Sequence, residues 1–408
     1  MKQSGRVLGG ALLVAGTMIG AGMLALPVIT GLMGFWPTLI LFLMYFCLMA
    51  YSAMLFLEVN LWHEDIHVNL MTMARTTLGK PGQVVAWFVY LFLLYALTTA
   101  YMAASGPLFK EQLQYWTGMQ MPFWAGPIPL LLIFSFFVYE GARYVDLVNR
   151  LLMLGLVVSF FALNGMLIPH MELDHLVRSD WSYVPLSVAI LATSFGYHII
   201  IPTLNRYLNK DVKGLLTSIA LGSFFALLLY IVWEIVVLSV LPMEGEVGLL
   251  EGYKQGKDSV FLVSGLLGND WVSFVGRWFL FFAIVTSFLG VSLSLRDFLG
   301  DGLGISSETA LGRWTLYFLT FVPPLFFSIA SPRSFFLALD YAGAFGVITL
   351  LILLPAMMVY RGRYMLGFKS EHFKAWGGKG LLIFVMLFSC FLIGIEVCNK
   401  LGVLTYDY

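Results

Sequence analysis

The chain has 408 residues, 60% hydrophobic and 11% charged, where soluble domains run at roughly 45–50% and about 25%. Lys plus Arg and Asp plus Glu each total 23, so the formal net charge is zero and there is no basic face for nucleic acid. These figures exclude a water-soluble enzyme, a secreted disulfide scaffold and a disordered chain, and describe a polytopic membrane protein whose solvent is lipid.

A spanning helix takes about 20 mostly apolar residues. Eleven segments qualify, near 7–31, 35–58, 82–106, 126–141, 147–169, 184–205, 214–241, 273–296, 313–330, 335–360 and 380–399. The first follows Lys2 and Arg6 and runs on to about Gly31 with no small-residue cleavage pattern, so it reads as a retained span. With the N-terminus inside, sixteen of the 23 Lys and Arg fall on inner segments, which predicts a cytoplasmic N-terminus and a periplasmic C-terminus. No loop is long enough for a soluble domain, so residues 1–408 form one membrane domain. Cys47, Cys390 and Cys398 all lie in apolar runs, and their odd number argues against a disulfide framework.

Two spans carry interruptions. Span 1 contains Gly16, Gly20 and Gly22 ahead of Pro27, and glycine inside a helix costs up to ~1 kcal/mol relative to alanine. Gly16 and Gly20 also fit a small-xxx-small packing stripe, which leaves Gly22 and Pro27 unexplained. A break there exposes amide N–H groups at the start of a half-helix, where a carboxylate binds. Span 6 supplies the counterpart, Thr193-Ser194-Phe195-Gly196-Tyr197-His198 followed by Pro202. The alternative for these polar residues is hydroxyl back-bonding within an unbroken helix. Five spans separate the two interruptions, so spans 1–5 (about 7–169) and 6–10 (about 184–360) form two halves, with span 11 (about 380–399) appended.

Ionisable residues within spans are functional candidates. Glu234 is the most buried by position and is the proton candidate. Asp340 lies near Arg333 and the outer surface, and Glu58 reads as a solvated helix end. His198 is open to two readings, a neutral hydrogen-bonding imidazole or a proton carrier. His63 and His67 are two ligands without a third, so no metal site and no cofactor are expected. No Ser-His-Asp set, phosphate-binding loop or dinucleotide fingerprint occurs. A channel or an intramembrane enzyme remains the competing class, and neither a selectivity ring nor a catalytic constellation is visible.

The runs Gly16-Thr-Met-Ile-Gly20-Ala-Gly22-Met-Leu-Ala-Leu-Pro27, Tyr95-Ala-Leu-Thr98-Thr99-Ala-Tyr101, Thr193-Ser-Phe-Gly-Tyr-His198 and Ala283-Ile-Val-Thr286-Ser287-Phe-Leu-Gly290 resemble the bacterial aromatic amino acid permeases of the hydroxy/aromatic amino acid permease family, above all their tyrosine-specific members. The likeness runs from Arg6 to about Arg363. It implies an all-α fold of eleven helices, a leucine-transporter-like 5+5 inverted repeat plus one helix, in the bacterial inner membrane. The function implied is import of an aromatic amino acid by cation symport, with tyrosine ahead of tryptophan, phenylalanine or serine and no obligate protein partner.

Carried onto this chain, the resemblance places the substrate carboxylate on the amides of Gly20, Ala21 and Gly22, and its ammonium on carbonyls near Thr17, Thr193 and Ser194. Phe195 and Tyr197, Tyr95 and Thr99 at i, i+4 on span 3, and Val291 on span 8 are candidate walls for the ring, with His198 as partner for a phenol hydroxyl. Sodium-coupled members of the fold hold a cation between spans 1 and 8, and Gly16, Ile19, Ala283, Thr286 and Ser287 stand at the matching spacing, a set of oxygens suited to a hard cation. The family itself implies proton symport, and spans 1, 5 and 8 contain no lysine to fill that site.

Overall fold

The computed structural model describes residues 3–20, 22–65, 68–331, 333–369, 373–404 and 406, and every regular element among them is helical. Lys2, Ala21 and His67 lie outside the described residues. In lipid this is the expected outcome, since a helix satisfies its backbone polar groups within one segment. Span 1 is two helices, α1 (Gln3–Met18) and α2 (Gly22–Thr30), bent by 56° at the glycine cluster. Span 2 is α3 (Phe35–Leu61). Span 3 lies in α4 (Leu70–Thr117), which is kinked at Gly79 (φ 79°), and the part beyond that kink contains the predicted 82–106 and runs on to Thr117. The Asn69 side chain starts α4 by accepting the Thr72 amide at 3.0 Å. Spans 4 and 5 are α5 (Ile128–Glu140) and α6 (Ala142–Leu167), joined through Gly141 alone, whose φ of 112° only glycine adopts easily.

Span 6 is broken like span 1. It comprises α7 (Val184–Ser194), an irregular stretch through Ile200, and α8 (Ile201–Tyr207). Span 7 is α9 (Val212–Val240). The following segment, read from sequence as a loop, contains α10 (Leu249–Gln255) and α11 (Ser259–Leu267). Asp258 caps α11, accepting the amides of Val260 and Phe261 at 2.9 and 3.0 Å, and burial pushes its carboxyl up to about 6. Span 8 is α12 (Asp270–Leu303) and span 9 is α13 (Ala310–Ser328). Span 10 runs through α14 (Ser334–Tyr341), a π-helical stretch (Ala342–Leu353) and α15 (Leu354–Tyr364), and span 11 is α16 (Lys379–Lys400).

Among the described residues nine helices are long and apolar enough to cross a bilayer, or ten with the α1–α2 pair taken as one span. The remaining predicted span, 313–330, is the helix α13, which falls outside that set. Its outward face is nevertheless apolar, with Leu311, Trp314, Phe318, Val322 and Phe326 exposed.

The broken spans pack against each other in matched halves, α2 on α7 and α1 on α8, with α9 along α1. The loop before α7 straps the end of α2. Arg178 donates to the carbonyls of Gly31 and Leu32 at 3.2 and 2.6 Å, and the Asp180 amide donates to Met33 O at 2.8 Å. A cation on the last carbonyls of a helix is favoured by their partial negative charge. The Ser182 hydroxyl and amide donate to the Asp180 carboxylate and hold it below its usual range.

Glu58 corrects the reading from sequence. It is 2% exposed, and its carboxylate takes both ends of the Arg363 guanidinium, with Nε to Oε1 at 2.7 Å. The Ala375 amide also donates to it, at 2.7 Å, while Arg363 Nη2 donates to the Ala375 carbonyl at 2.8 Å. The pair thus pins the segment between α15 and α16 to the end of α3, and sequence alone could not see it because the partners are 305 residues apart. Asp340 is likewise paired, with Lys400 of α16. Removing one member of a buried pair costs about 3–5 kcal/mol. Glu58→Ala is therefore expected to lower the thermal midpoint of the detergent-solubilised protein sharply, and an unchanged midpoint would show that the pair does not hold this segment.

Candidate functional site

The two breaks meet at one place in the molecule. α1 ends at Met18 and α7 at Ser194, so each leaves carbonyls without an intrahelical partner. Tyr230, midway along α9, spans both ends, its hydroxyl 2.6 Å from Met18 O and 2.9 Å from Ser194 O. Gly22 opens α2 directly beside Ser194, and a Cβ added to Gly22 would lie 3.3 Å from Ser194 Oγ. Gly20 is just as confined on its other side, where a Cβ would collide with Ser287 Oγ of α12. The Tyr101 hydroxyl of α4 reaches that same Ser287. Spans 1, 3, 6, 7 and 8 therefore converge on Gly20, Gly22, Ser194, Ser287, Tyr101 and Tyr230.

Several buried polar atoms at the span 6 break have no hydrogen-bond partner among the described residues, namely Ser194 Oγ and both ring nitrogens of His198. Unpaired buried polar atoms are costly, and their clustering marks a place built for polar partners. Burial is uneven around the breaks. All nine residues of α2 are buried, as is α7 from Ser187 to Ala192. Thr17, Gly20, Thr193, Gly196, Ser287 and Val291 are partly exposed, and Thr203 and Tyr207 of α8 are more exposed than these. The junction is thus more deeply buried on the α2/α7 side than on the α1/α8 side.

The remaining residues named from sequence separate into those at this junction and those turned from it. On the span 1 side, the Thr17 hydroxyl donates to Leu13 O at 2.7 Å, and Ile19 continues the α1 ladder to Ala15 O at 2.8 Å. Gly16 faces span 5, where a Cβ would lie 3.4 Å from the Met153 methyl. On span 8, Ala283 is buried and Thr286 points its hydroxyl at its own helix, 2.7 Å from Phe282 O and 3.2 Å from Ala283 O. The oxygen lone pairs of Thr286 remain available, because a hydroxyl that donates still accepts.

The predicted ring walls are not assembled in this conformation. Tyr95 donates to the Leu319 carbonyl of α13 at 2.8 Å, and Thr99 back-bonds to Tyr95 O. Val291 belongs to the same packing as Tyr95, beside Leu295 and Leu299. Thr193 turns to span 10, 3.1 Å from Leu339 O. Phe195 is fully buried between Phe42 and Tyr230, with ring centroids 5.6 and 5.4 Å away. Tyr197 and His198 lie side by side against Phe56 of α3. Glu234 stands apart from the breaks, its Oε1 2.5 Å from the Thr30 hydroxyl of α2 and its Oε2 unpartnered.

Tyr230 was missed from sequence because a tyrosine amid a long apolar run reads as packing. Its one distinguishing signal is position, a hydroxyl at mid-span in an otherwise apolar stretch.

Adjoining breaks in two spans of a helical membrane protein are the arrangement on which secondary transporters build their sites. The chain belongs to the tryptophan/tyrosine permease family, which it matches over residues 3–396. It is 32% identical to the tyrosine-specific transport system 1 of Haemophilus influenzae, covering 98% of this chain and 99% of that one. Identity is also 32% with the tryptophan-specific transport protein of Shigella flexneri, over 95% and 94% of the two chains. The tyrosine permease of Enterobacter agglomerans is 28% identical over 89% of each. These relatives are transporters, not enzymes, so the hydrolase and enzyme classes are set aside.

Removing the Tyr230 hydroxyl takes away the single O–H that the Met18 and Ser194 carbonyls share. Leaving a buried acceptor unsatisfied costs about 1–3 kcal/mol. Tyr230→Phe should accordingly lower the thermal midpoint in detergent, whereas full stability in that variant would mean the hydroxyl does not tie the breaks together.

Proposed function

We propose that this protein imports an aromatic amino acid, tyrosine in preference to tryptophan, across the bacterial inner membrane by symport with a proton. The observation that carries the reading is the junction of the two breaks. It offers the start of α2, where a helix leaves first-turn amides without intrahelical acceptors, two helix-end carbonyls that share the Tyr230 hydroxyl, and unpartnered polar atoms on Ser194 and His198. An amino acid is a zwitterion and needs both signs of partner within a few ångströms. The amides of Gly20, Ala21 and Gly22 take the carboxylate. The carbonyls of Met18 and Ser194, and those near Thr17 and Thr193, take the ammonium, since each carbonyl has a second lone pair beyond the Tyr230 bond.

The architecture proposed is eleven spans in a 5+5 inverted repeat with α16 appended, and the N-terminus cytoplasmic. The pairing of α2 with α7 and of α1 with α8 supports the repeat. In that orientation the more deeply buried α2/α7 side faces the periplasm and is sealed, and the conformation is the inward-facing one. Uptake requires the α2/α7 side to open and the α1/α8 side to close around the same site. Phe195, Tyr197 and His198 then turn from their packing against span 2 toward the ring. His198 is the partner for the phenol hydroxyl, which is the basis for preferring tyrosine over phenylalanine.

A coupling ion has to drive accumulation of a net-neutral substrate. Glu234, buried with one carboxyl oxygen unpaired between α9 and α2, is the proposed proton carrier. A sodium ion is the second reading. The contact of Gly20 with Ser287 brings spans 1 and 8 together beside Gly16, Ile19, Ala283 and Thr286.

Three outcomes are expected. In proteoliposomes labelled tyrosine exchanges against internal cold tyrosine, and a pH gradient without sodium drives its accumulation. Accumulation under a sodium gradient at equal pH, lost in Thr286→Val, would replace the proton by sodium. Gly22→Val crowds Ser194 and should abolish uptake at normal membrane levels, so ordinary kinetics in that variant would remove the carboxylate from α2. His198→Ala should erase the discrimination between tyrosine and phenylalanine while transport persists, and an unchanged ratio of their uptake rates would dismiss His198 from the pocket.

A further inference from the structure

The appended helix α16 faces lipid along much of its length, with Phe384, Leu387 and Phe391 exposed, yet it carries a carboxyl group, Glu396, at 1% exposure. That side chain reaches into the backbone of α7. Glu396 Oε1 accepts the Ala189 amide at 3.1 Å, and one turn later Asn399 Nδ2 donates to the Pro185 carbonyl at 3.0 Å. Pro185 and Ala189 stand at i and i+4, so their carbonyl and amide are the two poles of one step of the helix ladder. A pair of side chains on a neighbouring helix therefore holds both poles of one step in the half-helix that forms the span 6 side of the seal.

The grip is itself braced. The Tyr406 hydroxyl donates to Asn399 Oδ1, and Lys400 pairs with Asp340 of α14. On the other flank α7 touches span 10 backbone to backbone, since a Cβ on Gly343 would run into the Ala189 carbonyl. The Thr193 hydroxyl lies between Ala189 O and Leu339 O at 3.0 and 3.1 Å. Of these residues only Thr193 adjoins the junction of the breaks, and Glu396 and Asn399 lie outside it.

We propose that Glu396 and Asn399 are positioning residues that hold α7 at its present tilt against α2, so that opening the α2/α7 side requires their two bonds to α7 to break. The bonds are directional and backbone-directed, so a small displacement of α7 away from α16 breaks both. They thus stabilise the sealed state relative to any state in which α7 has moved away from α16. The chemistry asks only for an acceptor at 396, because the partner is a neutral amide, and glutamine supplies one. The link to transport rests on the alternating-access reading above, whereas the grip itself does not.

Hydrogen–deuterium exchange of the full chain purified in detergent, followed by mass spectrometry over residues 184–194, tests the grip directly. Loss of a hydrogen bond to a carboxyl acceptor should speed exchange of that segment about tenfold or more. The expected result is such an increase in Glu396→Leu, wild-type exchange in Glu396→Gln, and no change over α9 in either. Exchange over 184–194 unchanged in Glu396→Leu would overturn the proposal, and so would an equal increase throughout α9, which would indicate general loosening. Should Glu396→Leu fail to fold, Asn399→Leu carries the same test at the Pro185 carbonyl.

Uptake in proteoliposomes supplies the second readout. Loosening the seal populates the open state, so the KM for substrate added from the α2/α7 side should fall in Glu396→Leu and be restored in Glu396→Gln. If Glu396→Gln kept its exchange protection but lost uptake, the carboxyl would be required for its proton and the positioning role would be wrong. If no aromatic amino acid is taken up by the wild type, the transport reading fails, and the exchange data still decide the grip.

Discussion

Inside a bilayer a backbone carbonyl that leaves its helix has no water to turn to, and this molecule contains two places where that happens. α1 stops at Met18 and α7 at Ser194, and the Tyr230 hydroxyl lies within 3 Å of both carbonyls. One phenol on an unbroken helix thereby makes two breaks affordable and fixes them next to each other. The rest of the junction follows from that arrangement. A Cβ on Gly22 would crowd Ser194, one on Gly20 would collide with Ser287, and spans 3 and 8 close around them. A substrate bound here would meet groups already gathered for the helix ends rather than a dedicated set of side chains.

The two sides of the junction are held very differently. Toward α2 and α7 several hydrogen bonds hold the elements, most of them to backbone: Arg178 and Asp180 strap the end of α2, Thr30 meets Glu234 through side chains, and α16 grips α7. Toward α1 and α8 the contacts are fewer and Thr17, Gly20 and Gly196 keep partial exposure. Such asymmetry suits a protein that alternates between two closures, because each closure needs its own discrete set of contacts and cores do not deform continuously. Hydrogen bonds to backbone groups are suited to this role, being lost over a small displacement, unlike diffuse apolar packing.

The aromatic residues of span 6 show what a single conformation contributes. Phe195 packs edge-on to Phe42 and Tyr230, and His198 lies against Phe56 with both nitrogens unmatched. An imidazole buried without a partner is an expensive arrangement. It becomes intelligible if the same ring gains a polar partner when α7 moves. Glu58 and Arg363 illustrate the opposite case, a matched pair with further bonds to the Ala375 backbone that fastens the segment between α15 and α16 to α3.

The lipid setting, the helical class and the position of both breaks were legible in the sequence, because they depend on composition and on glycine's local backbone freedom. Gly16, Gly20, Gly22 and Gly196 advertise interruptions whatever surrounds them, and the motif runs carried the family. Partnership was not legible. Tyr230 meets Met18 from 212 residues away and Ala189 meets Glu396 from 207, while Glu58 read as solvated until its partner Arg363 was seen. In water the polar face of a helix announces its rotation about its own axis. In lipid both faces are apolar and hydropathy is silent about that rotation, so only the packed tertiary structure decided which side chains turn toward the breaks and which helix holds them.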